Sequence, residues 1–108
     1  MVAWLNFLIT KVIAAGYLES NKGVHFTQNI KLKPLTDKDD YAIKLAIKNN
    51  IKFFAISFVN NSNDLDLVRS ITGKKSFLIS KIETKSTVIN LKKITSKSNA
   101  LLIDRGDL

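Results

Sequence analysis

Two short stretches decide how this sequence folds: Ile-Ser-Lys-Ile-Glu at residues 79–83 and Arg-Gly-Asp-Leu at residues 105–108. The first stretch ends an apolar run and places Lys81 and Glu83 on alternate positions, so in a strand both side chains point to the same side. The second stretch follows another apolar run and carries Asp107 after a glycine. One cation and two acids at the carboxyl ends of neighbouring strands are the groups that a metal-assisted phosphoryl-transfer site needs.

Three apolar runs predict strands of a parallel sheet, where both faces of a strand are buried. They cover residues 51–59, 76–82 and 100–103. Apolar residues at helical spacing separate them: Leu65, Leu67, Val68 and Ile71 after the first run, and Val88, Ile89, Leu91 and Ile94 after the second. Alternating strands and helices predict an α/β fold with right-handed crossovers.

Capping residues indicate where the helices begin and end. Thr36 with Asp39 resembles a capping box, and Ser62 is a candidate N-cap for the next helix. Asn50 is suited to the left-handed conformation that ends a helix, and Gly73 serves the same purpose later. The first helix has an apolar stripe of Tyr41, Ile43, Leu45, Ala46 and Ile47.

The amino-terminal third has shorter apolar pieces. Residues 1–10 are apolar but have no basic residue before them and are interrupted by Lys11, which argues against a signal peptide or membrane helix and favours a buried strand or short helix. The turn composition at 20–23 separates two predicted strands of a β-hairpin, 12–18 and 24–30.

Composition limits the class of protein. With 45% hydrophobic and 24% charged residues the chain is globular, and without cysteine it has neither disulfides nor a thiolate metal site. Its net charge of +8 comes from lysines scattered singly or in pairs, which predicts a solvated surface and no nucleic-acid or membrane partner. A complete α/β barrel takes about 250 residues, so these 108 residues form at most a piece of one.

Several segments, in order, resemble the pyruvate kinase family from about residue 11 to the end of the chain. The similar segments are the hairpin residues 16–18 and 22–24, the helix start 36–39, the strand 54–59, the helix 64–69, and the stretches 81–83 and 105–108. The resemblance is specific as an ordered set, whereas Lys-Ile-Glu alone would be a weak signal. It implies a partial TIM barrel with about three parallel strands, at 34–108, preceded at 1–33 by a β-hairpin from the end of the family's lid domain.

The resemblance also implies an activity, the transfer of phosphate from phosphoenolpyruvate to ADP to give pyruvate and ATP in cytoplasmic glycolysis. Lys81 would stabilise the phosphoryl group, while Glu83 and Asp107 would bind Mg²⁺ or Mn²⁺. Backbone groups of Arg105, Gly106 and Asp107 would hold the substrate carboxylate. Ser57 and Thr84 would face the site, and K⁺ is implied although its ligands are absent from this chain.

The chain departs from the family at several positions. Asp104 stands where a small residue is usual, and its charge should repel an anionic substrate. Asn60 replaces an arginine, and the loop 84–87 replaces an Asn-x-Glu-Gly sequence. We therefore expect this chain alone to be inactive, either as an enzyme segment that needs a second copy or a complementing barrel segment, or as a non-catalytic binding or assembly module. A magnesium-dependent barrel lyase of the phosphoenolpyruvate and pyruvate group is a further alternative.

Overall fold

The computed structural model describes residues 11–20 and 33–106, and the chain divides into two units, Met1–Lys31 and Leu32–Leu108. In the first unit, residues 11–20 have no helix or strand, and Ile13 and Tyr17 are fully exposed. Residues 12–18, predicted as the first strand of the hairpin, are thus not a strand in the structure. Their predicted partner at 24–30, like residues 1–10, lies outside the described residues.

The second unit is a parallel sheet whose strands are joined by helices. The elements are α1 (Asp37–Lys48), β1 (Phe53–Ile56), α2 (Ser62–Thr72), β2 (Phe77–Ile82), α3 (Lys85–Ile89), α4 (Leu91–Lys97) and β3 (Ala100–Ile103). The three strands are parallel and lie in the order β1-β2-β3. This confirms the predicted α/β fold with three parallel strands of an open, partial barrel.

Strand β2 lies in the centre of the sheet, and its alternate residues point to a covered face and to an open face. Its buried residues, Leu78, Ser80 and Ile82, alternate with partly exposed ones. The core consists of Val59, Leu65, Val68, Leu78 and Ile94, so helices α2 and α4 cover one face. On the other face Phe53 contacts Phe77 and is 68% exposed. Lys81 belongs to this open face, because it alternates with the buried residues of β2.

The capping box before α1 is confirmed, because Thr36 Oγ1 accepts the Asp39 N–H and the Asp39 carboxylate accepts the Thr36 N–H. The N-cap of α2 is Asn61 and not Ser62 as predicted. Asn61 Oδ1 accepts the Asn63 N–H, and the Asp64 carboxylate accepts the Asn61 N–H. The helix therefore starts one residue earlier than predicted.

The ends of other elements also differ from the predictions. Strand β1 covers only Phe53–Ile56, because the chain turns away at Ser57 and Phe58. The helical segment after β2 is interrupted at Asn90. The predicted apolar stripes are only partly buried: Tyr41, Leu45, Ile47, Leu67, Val88, Ile89 and Leu91 are exposed. Asn50 has the predicted left-handed conformation, with φ of 59°.

Arg69 joins the end of α2 to the segments that precede β2 and β3. Its guanidinium donates to the carbonyl oxygens of Lys74, Ser76 and Lys97 and to Asn99 Oδ1, at 3.1–3.4 Å. Asn99 Oδ1 also accepts the Leu78 N–H. These bonds tie the end of α2 to the starts of both strands.

Thr36→Ala is expected to lower the free energy of unfolding by about 1 kcal/mol, because the first turn of α1 loses its N-cap acceptor. Hydrogen bonds from Thr36 lower the pKa of Asp39. A carboxyl with a lowered folded-state pKa stabilises the fold above its unfolded pKa, so this contribution should disappear as the pH falls below about 4. Urea unfolding at pH 7 and pH 3 measures both effects. Thr95→Ala, an exposed helical position, is the control and should change little.

Candidate active site

Polar side chains from all three strands meet at the carboxyl edge of the sheet. Lys81 lies near the end of β2, Glu83 directly follows that strand, Ser57 follows β1 and Asp104 follows β3. Parallel strands bring their carboxyl ends to one edge, where α/β barrels carry their binding residues. The structure therefore brings Lys81, Glu83 and Ser57 together, and adds Asp104 to them.

The Glu83 carboxylate is buried, with its side chain only 1% exposed, and both of its oxygens have partners. Oε1 forms an ion pair with Lys81 Nζ, and Oε2 accepts the Phe58 N–H at 2.8 Å. A buried charge requires such compensation, because desolvation without it is costly. The two contacts hold the carboxylate in one orientation.

Phe58 holds its N–H against Glu83 in an unusual backbone conformation. Its φ is 53°, in the left-handed region that aromatic residues rarely adopt. Such conformations cost about 1–3 kcal/mol and cluster at functional sites. Nothing in the sequence indicated this role, because a left-handed phenylalanine has no composition signal and its partner lies 25 residues away.

Lys81 is surrounded by acceptors. Its Nζ lies 3.4 Å from Ser57 Oγ and 3.6 Å from Asp104 Oδ2, in addition to its ion pair with Glu83. The hydrogen bond to Glu83 raises the pKa of Lys81; desolvation opposes this, and the charges of Glu83 and Asp104 reinforce it. Lys81 is therefore a cation at neutral pH, and its side chain is 24% exposed.

Thr84 is used in the structure as the N-cap of α3. Its Oγ1 accepts the Thr87 N–H at 3.1 Å and lies 2.8 Å from Thr87 Oγ1. Thr87 in turn is buried and donates to the Val59 carbonyl oxygen at 2.5 Å. Thr84 Oγ1 also lies 3.4 Å from Asn60 Oδ1. Among the described residues, no hydrogen bond joins Thr84 to Lys81 or Glu83.

The turn after β3 contains Arg105 and Gly106, which are both exposed. The Gly106 N–H donates to Asp104 Oδ1 at 3.3 Å. Within 11–20 and 33–106, Arg105 forms no ion pair with Glu83 or Asp104. Asp107, the second predicted metal ligand, lies outside the described residues, as does Leu108.

Glu83 suits one position in the coordination of a divalent ion. Carboxylate oxygens are the ligands that Mg²⁺ prefers, and Mg²⁺ is commonly held by one or two carboxylates together with water and substrate oxygens. Each Glu83 oxygen has one protein partner and keeps a second lone pair. The part of the chain that the structure describes contains no cluster of three or more histidine, cysteine, aspartate or glutamate residues suited to a metal. It also has no helix with the length and apolarity needed to cross a membrane.

Comparison with known proteins identifies the family. Residues 4–108 match the model of the pyruvate kinase barrel domain. Pyruvate kinases from Buchnera aphidicola and Agrobacterium vitis are 37% and 33% identical over 108 and 104 residues, covering 94% and 95% of this chain. The Thermoplasma acidophilum pyruvate kinase is 39% identical over 82 residues, or 73% of the chain. The chain spans only 15% to 22% of the length of these relatives. The chain belongs to the pyruvate kinase family.

Proposed function

We propose that this chain supplies the phosphoenolpyruvate-binding face of a cytoplasmic enzyme that transfers phosphate from phosphoenolpyruvate to ADP. The observation that carries the proposal is the position of Lys81, a cation oriented by Glu83 and Ser57 at the carboxyl edge of a parallel sheet. Phosphoryl transfer depends on fixed charges that stabilise the moving group, so an oriented cation at this edge is the required element.

Each residue of the site has a role in this proposal. Lys81 binds the phosphoryl group, and Ser57 keeps the lysine side chain in place. Glu83 and Asp107 would hold Mg²⁺, which would supply positive charge to the oxygens of the substrate. The backbone N–H groups of 105–107 bind the substrate carboxylate. Thr84 contributes through the position of α3.

Titration of the full 108-residue chain with phosphoenolpyruvate and Mg²⁺ tests the proposal, followed through the backbone amide NMR signals of Ser57, Glu83 and Gly106. We expect phosphoenolpyruvate to shift the signals of all three residues, since its phosphate and its carboxylate lie at opposite ends of the molecule. Inorganic phosphate should shift chiefly the signals near Lys81. Identical shifts with the two ligands would contradict the proposal.

Adding ADP separates the proposed phosphotransferase from a barrel lyase. ADP should enhance the phosphoenolpyruvate-dependent shifts if the site belongs to a phosphotransferase, whereas a lyase has no use for the nucleotide. A non-catalytic binding module is the second candidate. The contact of Asp104 with Lys81 favours it, because the lysine ammonium already has this carboxylate as a partner when no substrate is bound. In that case neither phosphoenolpyruvate nor ADP should shift the signals.

Mg²⁺ without substrate is expected to bind this chain with a dissociation constant on the order of millimolar or weaker, since most of its ligands would be waters. Both Glu83 oxygens already have partners, so a metal ion competes with the Lys81 ammonium. Amide shifts upon MgCl₂ titration measure the affinity, with Glu83→Gln as the matched variant. Micromolar affinity that disappears in Glu83→Gln would show a far more complete metal site.

A further inference from the structure

Both oxygens of the Asp104 carboxylate have partners at the carboxyl edge of the sheet. Oδ1 accepts the Gly106 N–H at 3.3 Å, and Oδ2 lies 3.6 Å from Lys81 Nζ. The Asp104 N–H donates to the Ile82 carbonyl oxygen, which fixes the residue beside the end of β2. Asp104 therefore connects the lysine to the turn after β3.

These two donors are the ones that an anionic ligand would need. A small anion at this edge would bind the Lys81 ammonium, and its second acidic group would reach the N–H groups of the turn at Gly106. We propose that Asp104 is a specificity-determining residue whose carboxylate acts as an internal competitor, occupying both donors and excluding small anions until it is displaced. The competition follows from the contacts of Asp104; only the identity of the natural anion, phosphoenolpyruvate, rests on the proposed function.

The way the two carboxylates are held indicates that Asp104 competes directly with a bound anion and does not merely repel it from a distance. Glu83 and Asp104 together carry one more charge than Lys81 neutralises, and Glu83 is held inside by Phe58 and the lysine. The Asp104 side chain is 38% exposed and has no such enclosure. A ligand can therefore displace Asp104 into solvent without breaking the Lys81–Glu83 pair.

Inorganic phosphate is the probe, titrated into the full chain at constant ionic strength and followed at the amide signal of Ser57, whose side chain lies beside Lys81. Asp104→Ala removes both contacts and should tighten phosphate binding on the order of tenfold, the scale of one half-exposed charge at this distance. Asp104→Asn keeps the acceptor for Gly106 and removes only the charge, so its gain should be smaller. It also preserves the turn if the alanine variant folds poorly. Asp66→Ala removes an aspartate paired with Lys97 between helices and should leave the affinity unchanged.

Two results would overturn the proposal: equal phosphate affinity in the native chain and both Asp104 variants, or an equal gain in Asp66→Ala, which would indicate a general charge effect. Adding Lys81→Met to Asp104→Ala should abolish the gain. Phosphoenolpyruvate separates this inference from the proposed function. If phosphate affinity rises in the Asp104 variants but phosphoenolpyruvate binds no better than phosphate, the competition stands and the proposed function fails. If phosphoenolpyruvate shifts the expected signals while phosphate affinity is unaffected, only the competition fails.

Discussion

Leu78→Ala is expected to lower the free energy of unfolding by about 3 kcal/mol, a large part of the total of about 5–15 kcal/mol for a domain. Leu78 is fully buried in the central strand and packs in the cluster with Val59, Leu65, Val68 and Ile94. Removing its side chain leaves a cavity between the sheet and helices α2 and α4. Urea unfolding monitored by circular dichroism measures the change.

Leu102→Ala is the matched control, because it deletes the same atoms from the neighbouring strand, where the side chain is 42% exposed. Its cost should be about 1 kcal/mol or less, since much of the leucine surface is already in water. Equal losses in the two variants would mean that the face containing Leu102 is covered in solution, by a second copy of the chain for instance. Sedimentation at several concentrations would then identify the contact.

Local sequence signals predicted most of the fold. Thr36 and Asp39 lie within one helical turn and cap it as predicted, and Asn50 takes the left-handed conformation expected of it. The apolar runs correctly marked all three parallel strands. Burial was predicted less well: Leu67 and Ile89 lie at helical spacing but are exposed, because spacing defines a face of the helix and not what covers that face.

The sequence predicted those parts of the site that depend on the alternation of side chains along a strand and on the order of the strands. Lys81 and Glu83 are two residues apart, so their shared side follows from strand geometry. The Phe58 contact with Glu83 and the contact between Lys81 and Asp104 join residues more than 20 positions apart. The charge of Asp104 predicted repulsion of the substrate, but the sequence could not show that the two oxygens of this carboxylate already contact Lys81 and Gly106.

Lys81→Met is expected to weaken phosphoenolpyruvate binding roughly a hundredfold, which is the scale for truncating one partner of a desolvated charge pair. The substitution removes the only cation that the described residues place against Glu83 and Asp104, and leaves two carboxylates facing the ligand. The loss should exceed what one missing hydrogen bond would cause, because the site already carries one more negative than positive charge and the substitution removes the cation that offsets the other. Titration at constant ionic strength, followed at the Gly106 and Ser57 amides, measures it.

Lys97→Met is the control that separates this local effect from a change in overall charge. Lys97 is also paired with an aspartate, Asp66, and its removal changes the net charge equally. If the proposed role of Lys81 is correct, phosphoenolpyruvate affinity falls in Lys81→Met and stays unchanged in Lys97→Met. Equal losses would assign binding to the diffuse positive charge of the chain and contradict the role of Lys81. Thermal melting of both variants completes the comparison, because Glu83 is buried and its unpaired charge in Lys81→Met should also destabilise the fold.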